Sequence, residues 1–273
     1  MDIRAVFDSS VRRDPAPDNV SLLIEGKRGS LFSMLSLPGG KGPHPAVVQS
    51  HGYPGNEQNM DLALFLRSLG FAVLTYHYSG SWGSDGDFSF RSCIEDTNTV
   101  LDYLIQNAAD YGIDPDRIYA MGHSMGGFVT THLLARRKEL RGGVLIAPWD
   151  VARTYALSET DDSCRQNLAE VLAAGYGWLR GVTPEKFNAE LGHDTDALRL
   201  DKLAPKLKNI PILCISGEND IVTPPKLHQL PLCDALSGSE TFRHVTLPGD
   251  HCFQAYRTLL WETVGEYLLE LEK

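Results

Sequence analysis

The stretch Tyr119-Ala120-Met121-Gly122-His123-Ser124-Met125-Gly126-Gly127-Phe128 decides how this chain is read. Its first half is apolar, as a buried strand is, and "MGGFVTTHLLARRK" from Met125 onward has helical character. Between the halves, Ser124 stands flanked by Gly122 and Gly126. A serine hydroxyl is a poor nucleophile at neutral pH. It needs a base to take its proton and an exposed place to stand. A tight strand-to-helix turn supplies the exposure: the glycines let strand and helix approach closely, and Ser124 projects from the apex. The helix start turns its free backbone N–H groups toward any oxyanion that forms there.

Outward from this turn, strand and helix alternate. "VSLLIEG" and "GSLFSMLSLP" read as two N-terminal strands joined by the turn Gly26-Lys27-Arg28-Gly29. "PAVVQSHG" reads as a buried strand, "NMDLALFLRSLG" as a helix stopped by Gly70, "FAVLTYHY" as a strand and "CIEDTNTVLDYLIQNAA" as an amphipathic helix. "GGVLIAPW" is the strand after the central helix. Downstream, "IPILCISG", "PPKLHQLPLCDAL", "FRHVTLPG" and "YRTLLWETVGEYLLELEK" read as strand, helix, strand and helix. Such alternation predicts an α/β fold with a mainly parallel sheet and helices on both faces. One interval breaks it. Residues 150–203 hold helical patches such as "SCRQNLAEVLAAGYGWL" and no convincing strand, too long for an ordinary connection. The expected organisation is a core of residues 1–149 and 204–273, with 150–203 inserted as a helical lid.

A base and an acid follow the serine in chain order. Asp220 stands just past the strand "IPILCISG", with Glu218 as the rival carboxylate at the same turn. His251 follows the last strand, in "LPGDHCF". The chemistry requires a base near Ser124 whose other ring nitrogen donates to a buried carboxylate. Asp250 adjoins His251 in sequence, but chain neighbours rarely face each other that way, and loop hydrogen bonding is its expected role.

Gly122-x-Ser124-x-Gly126 in its strand–turn–helix setting, followed by Asp220 and His251, resembles the nucleophile elbow and triad order of the α/β-hydrolase superfamily. The resemblance runs from "PAVVQSHG" to the final helix. It implies the α/β-hydrolase fold, with Ser124, Asp220 and His251 as catalytic residues and no cofactor or metal. His51-Gly52-Tyr53-Pro54-Gly55 resembles the H-G-x-x-G oxyanion loop of the same superfamily. That assigns the oxyanion donors to the backbone N–H groups of Met125 and Tyr53, since Pro54 has none, and leaves His51 to orient the loop. "YHYSGSWGSDGDFSF" is similar to the R-G-x-G-x-S-x-G loop of lidded hydrolases, with Ser79 in place of the usual arginine and Trp82 inserted. This loop often borders the acyl pocket, which makes Tyr78 and Trp82 substrate-contact candidates beside Trp178 of the lid. Packing under the lid is the alternative role for each.

Within the superfamily two groups look similar. Small bacterial feruloyl and cinnamoyl esterases share the oxyanion loop, a lid of this size and an ending like "GDHCF". Relatives of prolyl oligopeptidases share the H-G-x-P-G loop but usually carry a propeller, for which this chain has no room. The expectation is a serine carboxylesterase, aryl-acyl esters suiting the lid's aromatic residues, with a serine peptidase or a non-catalytic binder on the same scaffold as alternatives.

Composition limits the partners. A formal net charge of -10 repels phosphate backbones, so nucleic acid is not expected. No apolar run approaches the roughly 18 residues of a membrane-spanning helix. "MDIRAVFDSS" lacks a basic and then apolar signal sequence. A cytoplasmic protein acting on a small-molecule ester is the expectation, and a homodimer is compatible with it. Cys93, Cys164, Cys214, Cys233 and Cys252 are scattered and odd in number, which argues against a disulfide framework and a zinc site.

Overall fold

The computed structural model describes residues 13–56 and 58–273. The N-terminal stretch read for a signal sequence therefore lies outside the described residues. Eight strands form one sheet among them: β1 (Asp18–Gly26), β2 (Gly29–Leu37), β3 (His44–Ser50), β4 (Ala72–Tyr76), β5 (Ile113–His123), β6 (Gly142–Ile146), β7 (Ile212–Gly217) and β8 (Phe242–Leu247), in the order β1-β2-β4-β3-β5-β6-β7-β8. The β1–β2 hairpin and the β2–β4 pair are antiparallel, and every other pairing is parallel. The helices are α1 (Met60–Ser68), α2 (Phe90–Gln106), α3 (Met125–Leu134), α4 (Val151–Ser158), α5 (Asp162–Ala173), α6 (Pro184–Gly192), α7 (Thr195–Leu198), α8 (Ala204–Leu207), α9 (Pro225–His228), α10 (Leu230–Leu236) and α11 (Arg257–Leu271).

The central strands are near-continuous apolar runs because both faces of the sheet are covered. Side-chain alternation sorts them. Val47, Val73, Tyr119, Met121, Val144, Ile146, Leu213 and Ile215 point to one face, packed under Leu62, Phe65 and Leu66 of α1 and Leu260, Val264 and Leu268 of α11. Ala46, Val48, Leu74, Ala120, Leu145 and Cys214 point to the other, under Val100 and Leu101 of α2 and Phe128, Val129 and Leu133 of α3. The helix expected over "PPKLHQLPLCDAL" is divided into α9 and α10. Pro231 near the start of α10 cannot donate a backbone hydrogen bond into a continuous helix.

Between β6 and β7 the chain carries α4 to α8 and no strand. The segment closes on itself and on the core through backbone groups. Asp150 caps α4 by accepting the Arg153 N–H at 3.0 Å, and its other oxygen accepts the Leu200 N–H at 3.1 Å. Glu190 of α6 accepts the N–H groups of Phe90 (3.2 Å) and Arg91 (2.7 Å), placing a carboxylate at the start of α2. Arg180 bridges two loop positions, donating its N–H to Gly80 and accepting from Phe88.

Candidate active site

Ser124, Asp220 and His251 all follow the carboxyl ends of parallel strands, where open α/β sheets present their ligand sites. Ser124 joins β5 to α3 with φ 58° and ψ -121°, a backbone region that costs a non-glycine residue about 1–3 kcal/mol. The turn is held by Ser124 N–H donating to the Ile146 carbonyl at 2.9 Å and by the Ser124 carbonyl accepting from Trp149 at 3.0 Å. The two glycines are required by close approach. A β-carbon on Gly122 would lie 2.1 Å from the Gly126 carbonyl oxygen, and one on Gly126 would lie 2.0 Å from the Ser50 carbonyl oxygen. Because backbone meets backbone, nothing can swing aside. Gly126→Ala is therefore expected to cost at least about 3 kcal/mol, the upper end of ordinary overpacking, and to lower the melting temperature by several degrees. An unchanged melting curve would show that the loop after β3 yields freely.

Asp220 is buried, and each of its oxygens is engaged. Oδ1 accepts the N–H groups of Val222 (2.9 Å) and Thr223 (2.8 Å). Oδ2 accepts the Thr223 hydroxyl (2.7 Å) and His251 Nδ1–H (2.8 Å). Burial alone would raise this carboxyl, but the hydrogen bonds from His251 and Thr223 outweigh it and hold Asp220 below the usual carboxylate range. With the proton on Nδ1, His251 Nε2 carries the free lone pair. The rival Glu218 is exposed, and the Asp250 side chain accepts the N–H groups of Cys252 and Gln254 within its own loop.

Ser124 reaches this pair through its neighbour. His123 Nε2–H donates to the His251 carbonyl at 2.8 Å, and the two rings lie 4.7 Å apart. Burial, reinforced by the nearby His251, pushes His123 down to about 3, so it stays neutral. No hydrogen bond joins Ser124 Oγ to His251 in the structure.

The loop after β3 lies over the serine: a β-carbon on Gly52 would be 3.2 Å from Ser124 Cβ. His51 is buried, which drives it down to about 3. Its Nδ1–H donates to the Gly52 carbonyl at 2.7 Å. In a trans peptide the carbonyl and the following N–H point oppositely, so this bond also fixes the Tyr53 N–H. The N–H groups of Tyr53 and Met125 have no acceptor among the described residues.

The three aromatic candidates separate. Trp82 donates its indole N–H to the Pro54 carbonyl at 2.7 Å and stacks on Trp178 at 5.7 Å. Trp178 is 64% exposed. Tyr78 is a correction: it has no exposed surface, and its hydroxyl donates to the His51 carbonyl at 3.0 Å, so it supports the loop from beneath. Sequence reasoning did not single out Thr223, which lies three residues after Asp220, nor the His123 bond. Among the described residues no cluster of three or more histidine, cysteine or acidic side chains could hold a metal ion, and no helix is long and apolar enough to cross a membrane.

The chain has the α/β-hydrolase fold. The BD-FAE family matches residues 36–142. Cutinase 2 of Thermobifida cellulosilytica is 28% identical over 144 residues, 49% of this chain and 53% of the cutinase. The chain thus spans about half the length of the curated relatives it matches. Among solved structures, a puromycin hydrolase superposes with TM-score 0.71 at 21% identity, over 96% of this chain and 40% of that one. Est1E of Butyrivibrio proteoclasticus, in a structure with ferulic acid bound, superposes with TM-score 0.69 at 21% identity, over 92% of this chain and 98% of that one.

Proposed function

We propose that this chain is a serine carboxylesterase that cleaves small esters through an acyl-enzyme. One observation carries the reading: a buried carboxylate 2.8 Å from a histidine whose backbone is tied to the residue before a strained serine. In the reaction, His251 Nε2 takes the Ser124 proton as Oγ attacks the ester carbonyl carbon. The Met125 and Tyr53 N–H groups receive the oxyanion. The intermediate collapses, and His251 gives the proton to the leaving alkoxide. Water then attacks the acyl-enzyme with His251 as base, and the carboxylic acid leaves. Asp220 keeps the imidazole in the Nδ1–H tautomer and stabilises its charged form.

The cutinase likeness supports ester hydrolysis, and the fold shared with Est1E, which holds ferulic acid, favours an aryl-acyl ester. The helices between β6 and β7 act as the lid, and the exposed Trp178 stacked on Trp82 forms its outer aromatic wall. Trp178→Ala should change the ratio of kcat/KM for bulky aryl esters over acetate esters by roughly tenfold to two-hundredfold, the range for apolar pocket contacts. Its exposure predicts a nearly unchanged melting temperature. A fixed ratio with a lowered melting temperature would make Trp178 a packing residue only.

The deciding measurement is turnover of a panel of p-nitrophenyl and methyl aryl esters beside aminoacyl anilides. Preference for the anilides would replace the esterase by a peptidase, and turnover of neither would favour a binder.

A further inference from the structure

Tyr53 does more in this fold than present a backbone N–H. Its phenol donates to the carbonyl of Leu172 at 2.6 Å, across 119 positions of sequence. Leu172 lies in the last turn of α5, and its carbonyl also accepts the Gly175 N–H at 3.1 Å, so the phenol is an additional donor on the carbonyl's remaining acceptor capacity and ties the loop to this turn. The match is steric as well. A β-carbon on Gly175 would sit 2.0 Å from the Tyr53 hydroxyl oxygen, so the turn after α5 is kept bare where the phenol enters. The ring is gripped from both sides: Phe88, Phe90 and Trp149 at 5.7, 6.3 and 6.0 Å, and Phe187 of α6 at 6.3 Å. The next residue is tied in parallel, since the Pro54 carbonyl accepts from Trp82, which stacks on Trp178. The phenol is held protonated, and therefore a donor, because burial and the neighbouring Tyr176 raise it well above its ordinary value.

We propose that Tyr53 is a positioning residue whose side chain fastens the oxyanion loop to α5, so that its own backbone N–H is aimed at the reacting carbonyl oxygen only while α5 is docked. The segment between β6 and β7 then does not merely cover the site; its docking completes it. The proposal rests on the reading of Ser124 as the nucleophile. An acyl group that holds α5 in place is turned over, and one that prises it away is bound with only the Met125 N–H aimed at its oxyanion. The device therefore selects substrates through kcat more than through KM.

Tyr53→Phe tests it by deleting one oxygen and keeping the ring. On a short-acyl p-nitrophenyl ester, kcat should fall between about tenfold and a hundredfold, less than the 10²–10³ lost when a donor is removed outright. KM should stay within about twofold, as for an interaction made mainly in the transition state. Affinity for an arylboronic acid, which forms a tetrahedral adduct on serine, should fall in step with kcat. Amide exchange should quicken at residues 51–55 and at the end of α5, with the sheet unchanged. Gly175→Ala displaces the phenol from the other side and should lower kcat likewise, and the double variant should lose little more than either single one. Wild-type kcat and boronate affinity in Tyr53→Phe would overturn the proposal. So would additive losses in the double variant, or a kcat loss accompanied by raised KM and faster exchange throughout the sheet, which would mark plain packing. Wild-type protein that neither hydrolyses esters nor accepts a fluorophosphonate at Ser124 would instead remove the functional reading itself.

Discussion

Ser124→Ala is expected to lower ester turnover by on the order of 10⁶ in kcat, the loss seen when the nucleophile of a serine protease is removed. The fold should survive. The substitution keeps the β-carbon, so alanine bears the same positive φ that serine does, and no hydrogen bond of the Ser124 hydroxyl is forfeited among the described residues. The bonds that hold the turn come from the backbone, through Ile146 and Trp149, and are untouched. A fluorophosphonate probe should label the wild type at Ser124 and the variant nowhere. Thermal melting separates a chemical loss from a structural one: a coincident melt with lost turnover is the expected pair. Retained turnover, or labelling at another serine, would take the elbow out of the mechanism.

What was legible in the sequence follows from which forces act locally. The alternation of apolar runs and helical patches is dictated by burial on both sheet faces, so each core strand was readable from its own residues. The elbow was readable because backbone contacts forbid any side chain at Gly122 and Gly126, and that prohibition leaves a mark in the composition. The order of Ser124, Asp220 and His251 was readable because each follows a strand end. What joins distant segments was not. Nothing near Tyr78 says that its hydroxyl will meet the His51 carbonyl, and nothing near Tyr53 says that its phenol will meet α5. Trp82 and Trp178 both looked like pocket residues, yet only superposed segments reveal that they stack on each other. Side-chain partners of this kind are fixed by the three-dimensional path of the chain, and an aromatic residue carries the same apolar signal whether it lines a pocket or supports a loop.

Asp220→Asn should cost on the order of 10⁴ in kcat, the loss measured for the equivalent change in a serine protease. The hydrogen bonds around Asp220 say why. Oδ1 accepts two backbone N–H groups, from Val222 and Thr223, and only an oxygen can stay there. The amide nitrogen of asparagine must therefore take the Oδ2 position, facing His251 Nδ1 and the Thr223 hydroxyl. An N–H directed at Nδ1 selects the tautomer with its proton on Nε2, and the lone pair needed to accept the Ser124 proton is gone. Thr223 can turn its hydroxyl and accept, so the loop need not unfold. The pH dependence of stability supplies a second readout. A carboxyl held below its unfolded value contributes stability that is present above the unfolded pKa and lost as pH falls through the folded one. Asparagine cannot ionise, so the variant should lack this acid-side loss and melt with a flatter dependence on pH in the acid range. Glu218→Gln offers the contrast. Glu218 is exposed, and its backbone N–H, not its carboxylate, bonds to Leu247, so the change should alter kcat by no more than about twofold, as surface substitutions usually do. If Glu218→Gln proves the more damaging of the two, the base is oriented by Glu218, and the 2.8 Å pairing of Asp220 with His251 serves the fold instead of the reaction.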